Sequence, residues 1–338
     1  MPVSSHVPWL RGRAAGAVLV ALVVVLAACE PIGDGETEGS DAGATGDVGG
    51  TGRLSIATGG TGGVYFPLGG GLADLISENI GGYTATSEET NASVDNMNLI
   101  GSGESDIAFV LGDTASDAVS GVADFEGGAI DACAIGILYT NFTQLVASAE
   151  SGITSVADLE GMRVSLGEAG SGTEIIGLRI MEAAGLDPDA DIERAQLGIA
   201  ETVGALGDGT LDAGFWSGGL PTGALVEYAS GGDMVLIPTA EFAADLQGEF
   251  GDYYLESEIP AGIYEGQDAA VSVVGVPNVL VVNTSMDEGL QEQLTALLFE
   301  HKDDLVEVHP AAEELDAETA GDVAFMDVCP GAQAFYGS

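Results

Sequence analysis

Short runs of apolar and β-branched residues alternate along this chain with longer stretches whose apolar positions recur every three or four residues, the pattern of strands alternating with amphipathic helices. Arg53–Thr58 predicts a strand, and Leu72, Leu75, Ile76 and Ile80 predict the buried face of the helix behind it. A strand over Tyr83–Ser87 follows. The next helix carries Val94, Met97 and Ile100, and Asn91 is its candidate N-cap. Asp106–Leu111 reads as a buried strand, Asp113–Ser120 as a short helix, and Ala132–Tyr139 and Thr143–Ala149 as two further strands.

A second series then begins. Ser155–Leu159 predicts one helical turn, Met162–Leu166 a strand and Gly172–Ala184 a helix. Ile192–Gln196, Leu211–Trp216 and Met234–Ile237 read as strands, with helices at Ala200–Leu206 and Pro221–Ala229 between them. Ala270–Val282 is a long β-branched run broken by Gly275 and Pro277, and the chain ends in helices from Asp287 onward. Alternating βα units predict an α/β fold with mostly parallel sheets. Two such series imply two lobes, each with its own sheet: residues 53–143 with 276–338, and residues 144–275. The runs near 144 and 275 make two crossing strands at the hinge.

Two loops of small residues stand out against this pattern. Gly59-Gly60-Thr61-Gly62-Gly63 follows the first strand, and Gly167-Glu168-Ala169-Gly170-Ser171-Gly172-Thr173 follows the strand ending at Leu166. Each opens a helix. Glycines let backbone N–H groups crowd around a ligand, and a helix N-terminus favours negative charge. Ordinary βα turns have the same composition, so the loops alone leave both readings open.

The N-terminus changes the picture of location. Arg11-Gly12-Arg13 precedes an Ala/Val/Leu run that ends in Leu26-Ala27-Ala28-Cys29. This predicts a signal peptide over residues 1–28 and resembles the bacterial lipobox, in which the cysteine is lipidated. Residues 29–52 are Gly, Asp, Glu, Thr and Ser with few large apolar side chains, and read as a disordered acidic tether. The protein is therefore expected outside the cytoplasmic membrane, anchored through Cys29. Cys133 and Cys329 remain, as a pair or as two buried thiols.

The chain of 338 residues holds 54 Asp plus Glu against 7 Lys plus Arg, a formal charge of −47. Five cations follow the leader: Arg53, Arg163, Arg179, Arg194 and Lys302. Nucleic acid and anionic lipid are excluded as partners, because both need clustered cations. The spread of acids reads as adaptation to high salt, where screening suppresses self-repulsion, or to an alkaline exterior. Catalytic chemistry has little to stand on. After the leader only His301 and His309 remain, there is no Gly-x-Ser-x-Gly elbow, and Lys302 is not in a phosphate loop. Asp187-Pro188-Asp189-Ala190-Asp191 imitates the start of a calcium loop but has Ile192 where the turn glycine belongs. No metal and no cofactor are expected.

Several longer motifs carry a resemblance. They include Ile56–Gly70, Thr90-Asn91-Ala92-Ser93-Val94-Asp95-Asn96, Gly103-Glu104-Ser105-Asp106-Ile107-Ala108, Asp158–Gly167, Gly170-Ser171-Gly172-Thr173-Glu174, Leu211–Trp216, Ile259–Gln267 and His309-Pro310-Ala311-Ala312. In these the chain resembles the TAXI-type solute receptors of TRAP transporters, within the periplasmic binding protein superfamily. The resemblance implies a two-lobed, type II-like periplasmic binding protein fold. It implies capture of a small carboxylate such as glutamate, and delivery to an ion-coupled TRAP membrane permease. A sensor feeding a membrane kinase would look the same, and a hydrolase using Ser171 is the enzymatic alternative. The family has Tyr where Phe66 stands, and Arg and His where Cys133 and Cys329 stand; the joint change favours a disulfide. With five cations, the carboxylate is expected to be held by backbone N–H groups of Gly60, Thr61, Gly62, Gly63, Ser171, Gly172 and Thr173. Hydroxyls of Thr61, Ser171 and Thr173 add donors, Asn91 and Ser93 offer an amide and a hydroxyl, and Tyr65 and Trp216 wall the pocket. Thr173→Ala is then expected to weaken binding with little effect on stability.

Overall fold

The computed structural model describes residues 52–232 and 234–337. The expected signal peptide, the expected lipidation site Cys29 and all but the last residue of the expected tether lie outside them. The first series contains β1 (Gly52–Ala57), α1 (Tyr65–Asn79), β2 (Tyr83–Glu88), α2 (Ser93–Ser102), β3 (Ile107–Leu111) and α3 (Gly112–Ser120). β4 (Ala132–Ser148) leads into the second series: β5 (Arg163–Ser165), α4 (Gly172–Ala183), β6 (Glu193–Ala195), α5 (Ile199–Gly207), β7 (Ala213–Gly218), α6 (Gly223–Ala229) and β8 (Met234–Ile237). α7 (Ala243–Glu249) and β9 (Leu255–Ile259) precede β10 (Val271–Asn283). The chain closes with α8 (Glu288–Glu300), α9 (Lys302–Val308) and α10 (Pro330–Tyr336). Among the described residues no helix is long and apolar enough to cross a membrane.

The strands run in the order β2-β1-β3-β10-β4-β7-β5-β6, with β8 on β4 and β9 on β10. The central pair β10–β4 is antiparallel, flanked by a parallel group β2-β1-β3 on one side and a parallel group β7-β5-β6 on the other. Two expectations are corrected here. The ladder is continuous rather than divided into two sheets, because the crossing strands are hydrogen-bonded to both groups. The pairing is also more mixed than mostly parallel: β10 is antiparallel to β3 and β9, and β4 to β7 and β8.

Both crossing strands run unbroken where the pattern suggested breaks. β4 runs unbroken through Thr140, Asn141 and Phe142, and Asn141 is buried. β10 runs through Gly275 and Pro277. Pro277 is tolerated because it falls where the partner on one side changes, between the β9 contact at 271–275 and the β3 contact at 278–282. Alternate residues of β10 enter different cores. Leu280 and Val282 join α1 and α8, while Val279 and Val281 join α2 and α3. Burial on both faces explains why these strands read as apolar runs rather than alternating ones. The segment holding α7 and β9 carried no clear periodicity and was not anticipated.

Cys133 in β4 and Cys329 before α10 are bonded, with Cα atoms 5.0 Å apart. Beside the middle of β10, Arg179 on α4 reaches α3. Its Nη2 donates to Asp117 at 2.6 Å and its Nη1 to the Tyr254 hydroxyl at 2.8 Å. Tyr254 in turn donates to Asp113 at 2.8 Å, and the guanidinium lies 4.1 Å from the centre of the Phe250 ring. Burial pushes the Asp113 carboxyl up, against the pull of Arg179.

Candidate functional site

On one side of the crossing strands, helix starts from both series meet. The loop Gly59–Gly63 delivers the chain into α1, where the Gly63 N–H turns back to the Gly60 carbonyl. α2 begins at Ser93, α4 at Gly172 and α5 at Ile199. The four N-termini surround one cleft of about 110 Å³, partly open to solvent. Its wall includes Gly60, Thr61, Gly62, Gly63, Tyr65, Asn91, Ser93, Ser171, Gly172, Thr173 and Trp216. Every ligand-facing residue expected from the sequence therefore lies on the same cavity.

Helix starts leave N–H groups without intrahelical partners. Here those of Val64, Tyr65, Ser93, Gly172, Thr173, Ile199 and Ala200 donate to no carbonyl or side chain among the described residues. Those of Val94 and Asp95 are taken, both by the Gly170 carbonyl across the cleft, at 3.2 Å. The Gly62 carbonyl likewise accepts from Ala224 at 3.4 Å, so the two glycine loops touch the opposite wall. Such contacts need small residues. A Cβ on Gly63 would come 2.9 Å from the Trp216 ring, and one on Gly172 would come 2.5 Å from Leu111 and 2.9 Å from the Ser93 hydroxyl.

The polar side chains have structural partners that the sequence concealed. Asn91 does not cap α2. The N-cap is Ala92, at φ +71°, a conformation that costs energy for any residue but glycine. The turn is held by buried Asn96, which donates to the carbonyls of Thr58 and Phe109 and accepts from Thr90. Ser93 does not cap either; its hydroxyl accepts from Leu111 N–H at 3.1 Å and so ties α2 to the end of β3. Ser171 is the N-cap of α4, accepting from Glu174 N–H at 3.1 Å. Thr173 accepts from Ser217 N–H on β7 at 3.1 Å. This corrects the expectation that Thr173→Ala leaves stability untouched, since the buried Ser217 N–H would lose its acceptor. A hydroxyl that accepts still has its own proton to donate.

Trp216 is positioned by its indole N–H, which donates to Thr222 Oγ1 at 3.0 Å. Thr222 is in turn fixed by its N–H to the Tyr264 hydroxyl at 3.1 Å, and Tyr264 donates to Gln144 at 2.6 Å. Tyr264 thus orients the wall without lining it. Tyr65 is buried, and burial pushes its hydroxyl up. Asn141 Nδ2 donates to the Tyr65 hydroxyl at 3.4 Å, and along the crossing strands the hydroxyls of Tyr139 and Thr143 and Asn141 Oδ1 are buried without a partner among the described residues.

The electrostatics of the cleft hold what the sequence reading missed. Among the described residues no Arg, Lys or His lines it, but Glu89, Glu168 and Glu201 do. Arg163 is tied to Asp212, Arg194 to Glu174 and Asp189, and Lys302 to the carbonyls of Glu313 and Leu315. Burial, then Glu201, Glu89 and Asp95, raise the Glu168 carboxyl above the usual range. The start of α5 was also missed. Its signal was present: Gly198-Ile199 opens a helix after a strand, a third turn of the same kind as the two glycine loops.

Comparison with known proteins bears on the fold. A family model described as the NMT1-like family matches residues 56–337. The chain is similar to the structure of PhnD1 from Prochlorococcus marinus (MIT 9301) in complex with methylphosphonate. Identity is 10% over 77% of this chain and 90% of that one, with a TM-score of 0.52. It is also similar to the periplasmic aliphatic sulphonate binding protein SsuA from Escherichia coli, at 16% identity over 84% and 82% of the two chains, TM-score 0.47. The likeness to PhnD1 is one of fold, a mixed α/β architecture.

Proposed function

The chain belongs to the NMT1-like family, and on that premise we propose that it is an extracytoplasmic solute receptor that closes on a small carboxylate. One observation carries the reading: four helix N-termini, drawn from both strand groups, turn unpaired N–H groups toward one cleft. Helix starts with free N–H groups favour an anion and supply hydrogen bonds without a cationic side chain. In this reading residues 53–143 with 276–338 make one lobe and 144–275 the other, and Gly60–Gly63 and Ser171–Thr173 approach the ligand from opposite sides. The hydroxyls of Thr61, Ser171 and Thr173 add donors. Asn91 and Ser93 meet a second polar group, and Tyr65 and Trp216 close the walls. The protein acts by binding, not by turnover.

The TAXI-like motifs support an ion-coupled TRAP permease as the partner and a glutamate-like solute as the cargo. The lipobox-like Cys29 supports a receptor anchored on the outer side of the cytoplasmic membrane. Native mass spectrometry of the purified protein, followed by calorimetry with the solute it retains, tests the reading. One bound small carboxylate per chain, lost in Gly172→Val, is the expected result. Release of a chemically altered solute would argue for an enzyme instead.

A further inference from the structure

Tyr65 is the first residue of α1 and lies on the cleft, its ring tilted against Phe109 with 5.5 Å between centres. Its hydroxyl meets the crossing strands. Asn141 of β4 donates to it from Nδ2 at 3.4 Å, although the two residues are 76 positions apart. Asn141 is buried and its Oδ1 has no partner among the described residues, so the one side-chain hydrogen bond this amide makes is directed at Tyr65. Asn278, buried in β10, and Ser93, at the start of α2, act on the same hydroxyl. Burial raises the Tyr65 hydroxyl, while Ser93, Asn278 and Asn141 each pull it down. Groups that lower a phenol stabilise its oxygen, which is the action of hydrogen-bond donors. Ser93 has a proton to give, because its oxygen already accepts from Leu111 N–H at 3.1 Å. An oxygen surrounded by donors has only its own proton left to offer, and no described residue accepts the one on Tyr65. Burying Asn141 with part of its amide unmet costs free energy that an apolar residue of the same shape would not. The amide at this position therefore calls for a role.

We propose that Asn141 and Asn278 are positioning residues that hold the Tyr65 hydroxyl as a hydrogen-bond donor to the ligand. The inference rests on the receptor reading above and adds to it two residues of the crossing strands. Neither asparagine lines the cleft, so each acts through Tyr65 rather than by contact. With both amides turned to its oxygen, the phenol is held from swinging its proton into the protein and showing a lone pair to the cleft. The ligand atom that faces Tyr65 is therefore an acceptor without a proton, such as a carboxylate oxygen. A group that brings its own proton there meets a donor head-on. A helix N–H has fixed polarity because the backbone holds it. The asparagines give a rotatable hydroxyl the same fixed polarity before the ligand arrives.

Calorimetry with L-glutamate on Tyr65→Phe, Asn141→Leu and the double variant tests this as a cycle. Leucine has the branched shape of asparagine, so an unchanged fold is expected and is checked by the thermal midpoint. Asn141→Ala replaces it if Asn141→Leu does not fold. Tyr65→Phe is expected to weaken binding at least tenfold and Asn141→Leu at least threefold. The double variant is expected to stay within twofold of Tyr65→Phe, because Asn141 then has no hydroxyl to position. Losses that multiply, or an unchanged affinity in either single variant, overturn the assignment and leave the receptor standing. Polarity is read with the two monoamides of the same probe, L-glutamine and L-isoglutamine. At least one is expected to bind tenfold more weakly than L-glutamate, and that gap is expected to narrow to threefold or less in Asn141→Leu, where the hydroxyl is free to turn. No such gap, or one that Asn141→Leu leaves unchanged, overturns the donor assignment. If L-glutamate does not bind, both comparisons are run with acetate, succinate or glutarate and their amides. Binding by none of these acids overturns the receptor reading together with this inference.

Discussion

Arg179 and the cleft both lie where helices of the two strand groups approach each other, yet their polar groups are treated differently. Around Arg179 nearly every charge is met: two aspartates, one tyrosine hydroxyl and an aromatic face surround one guanidinium. Around the cleft, N–H groups at the helix starts and the Ser217 hydroxyl have no partner among the described residues. Burying polar groups without partners costs free energy, so the fold tolerates at the cleft what it avoids at Arg179. The first junction is complete with the protein's own groups. The second is complete only when something else supplies the missing partners.

The contrast can be broken first at Arg179. Arg179→Met leaves Asp113 and Asp117 buried without a cation and is expected to cost about 3–5 kcal/mol in denaturant unfolding. Because that cluster is buried, the loss should persist in molar salt. Gly172→Ala comes next. Its methyl meets Leu111 and Ser93 across the cleft, which is expected to weaken ligand binding at least tenfold, or roughly 1.4 kcal/mol, by calorimetry. A loss of stability without loss of affinity would make Gly172 a core glycine only.

Thr173→Ala is expected to cost roughly 1–3 kcal/mol of stability through the orphaned Ser217 N–H, with a separate fall in affinity. Thr173→Ser should restore both. Salt acts on the exposed acids: the midpoint of the intact protein is expected to rise between dilute and molar sodium chloride, as the Debye length shrinks from about 30 Å to about 3 Å. The smallest effect belongs to Glu168. Its carboxyl is raised in the folded state, so the unfolded chain binds fewer protons there and stability falls as pH rises through the carboxylate range. Glu168→Gln should therefore raise the midpoint of the ligand-free protein by roughly 1–2 °C at pH 7. The gain should vanish below the range in which carboxylates ionise.

The order of strands and helices, and the two glycine loops, were legible because a βα unit imposes both a period and a turn composition. Asn91 shows where that legibility stops. It has the chemistry of a cap, but Asn96, five residues on, does the holding by bonding to two strand ends distant in sequence. Ser171 and Thr173 were rightly placed on the cavity, while their acceptor roles depend on Glu174 and on a strand forty-four residues away. The acids of the cleft were hidden by abundance, since nothing local distinguishes Glu168 and Glu201 from the other carboxylates. The unbroken ladder was hidden for a different reason. Gly275, Pro277 and the polar residues around Asn141 look like breaks until both crossing strands are seen to change partners there.

A ladder shared by both halves also limits how they can move. Pulling the halves apart would tear bonds between β4 and its neighbours, so opening is expected to be torsional: a rotation spread over the stretch from residue 140 to 143 and its partner from 275 to 278. The register shifts between Asn278 and Val279 and between Leu280 and Val281 lie beside that stretch and loosen the regular pleat. In deuterium labelling, amides of β4 and β10 should stay protected while those at the starts of α2 and α6 exchange with each opening, because their bonds to Gly170 and Gly62 span the gap. The crossing strands would then behave as a torsion spring, with a rest angle set by the pairing of two strands rather than by any loop.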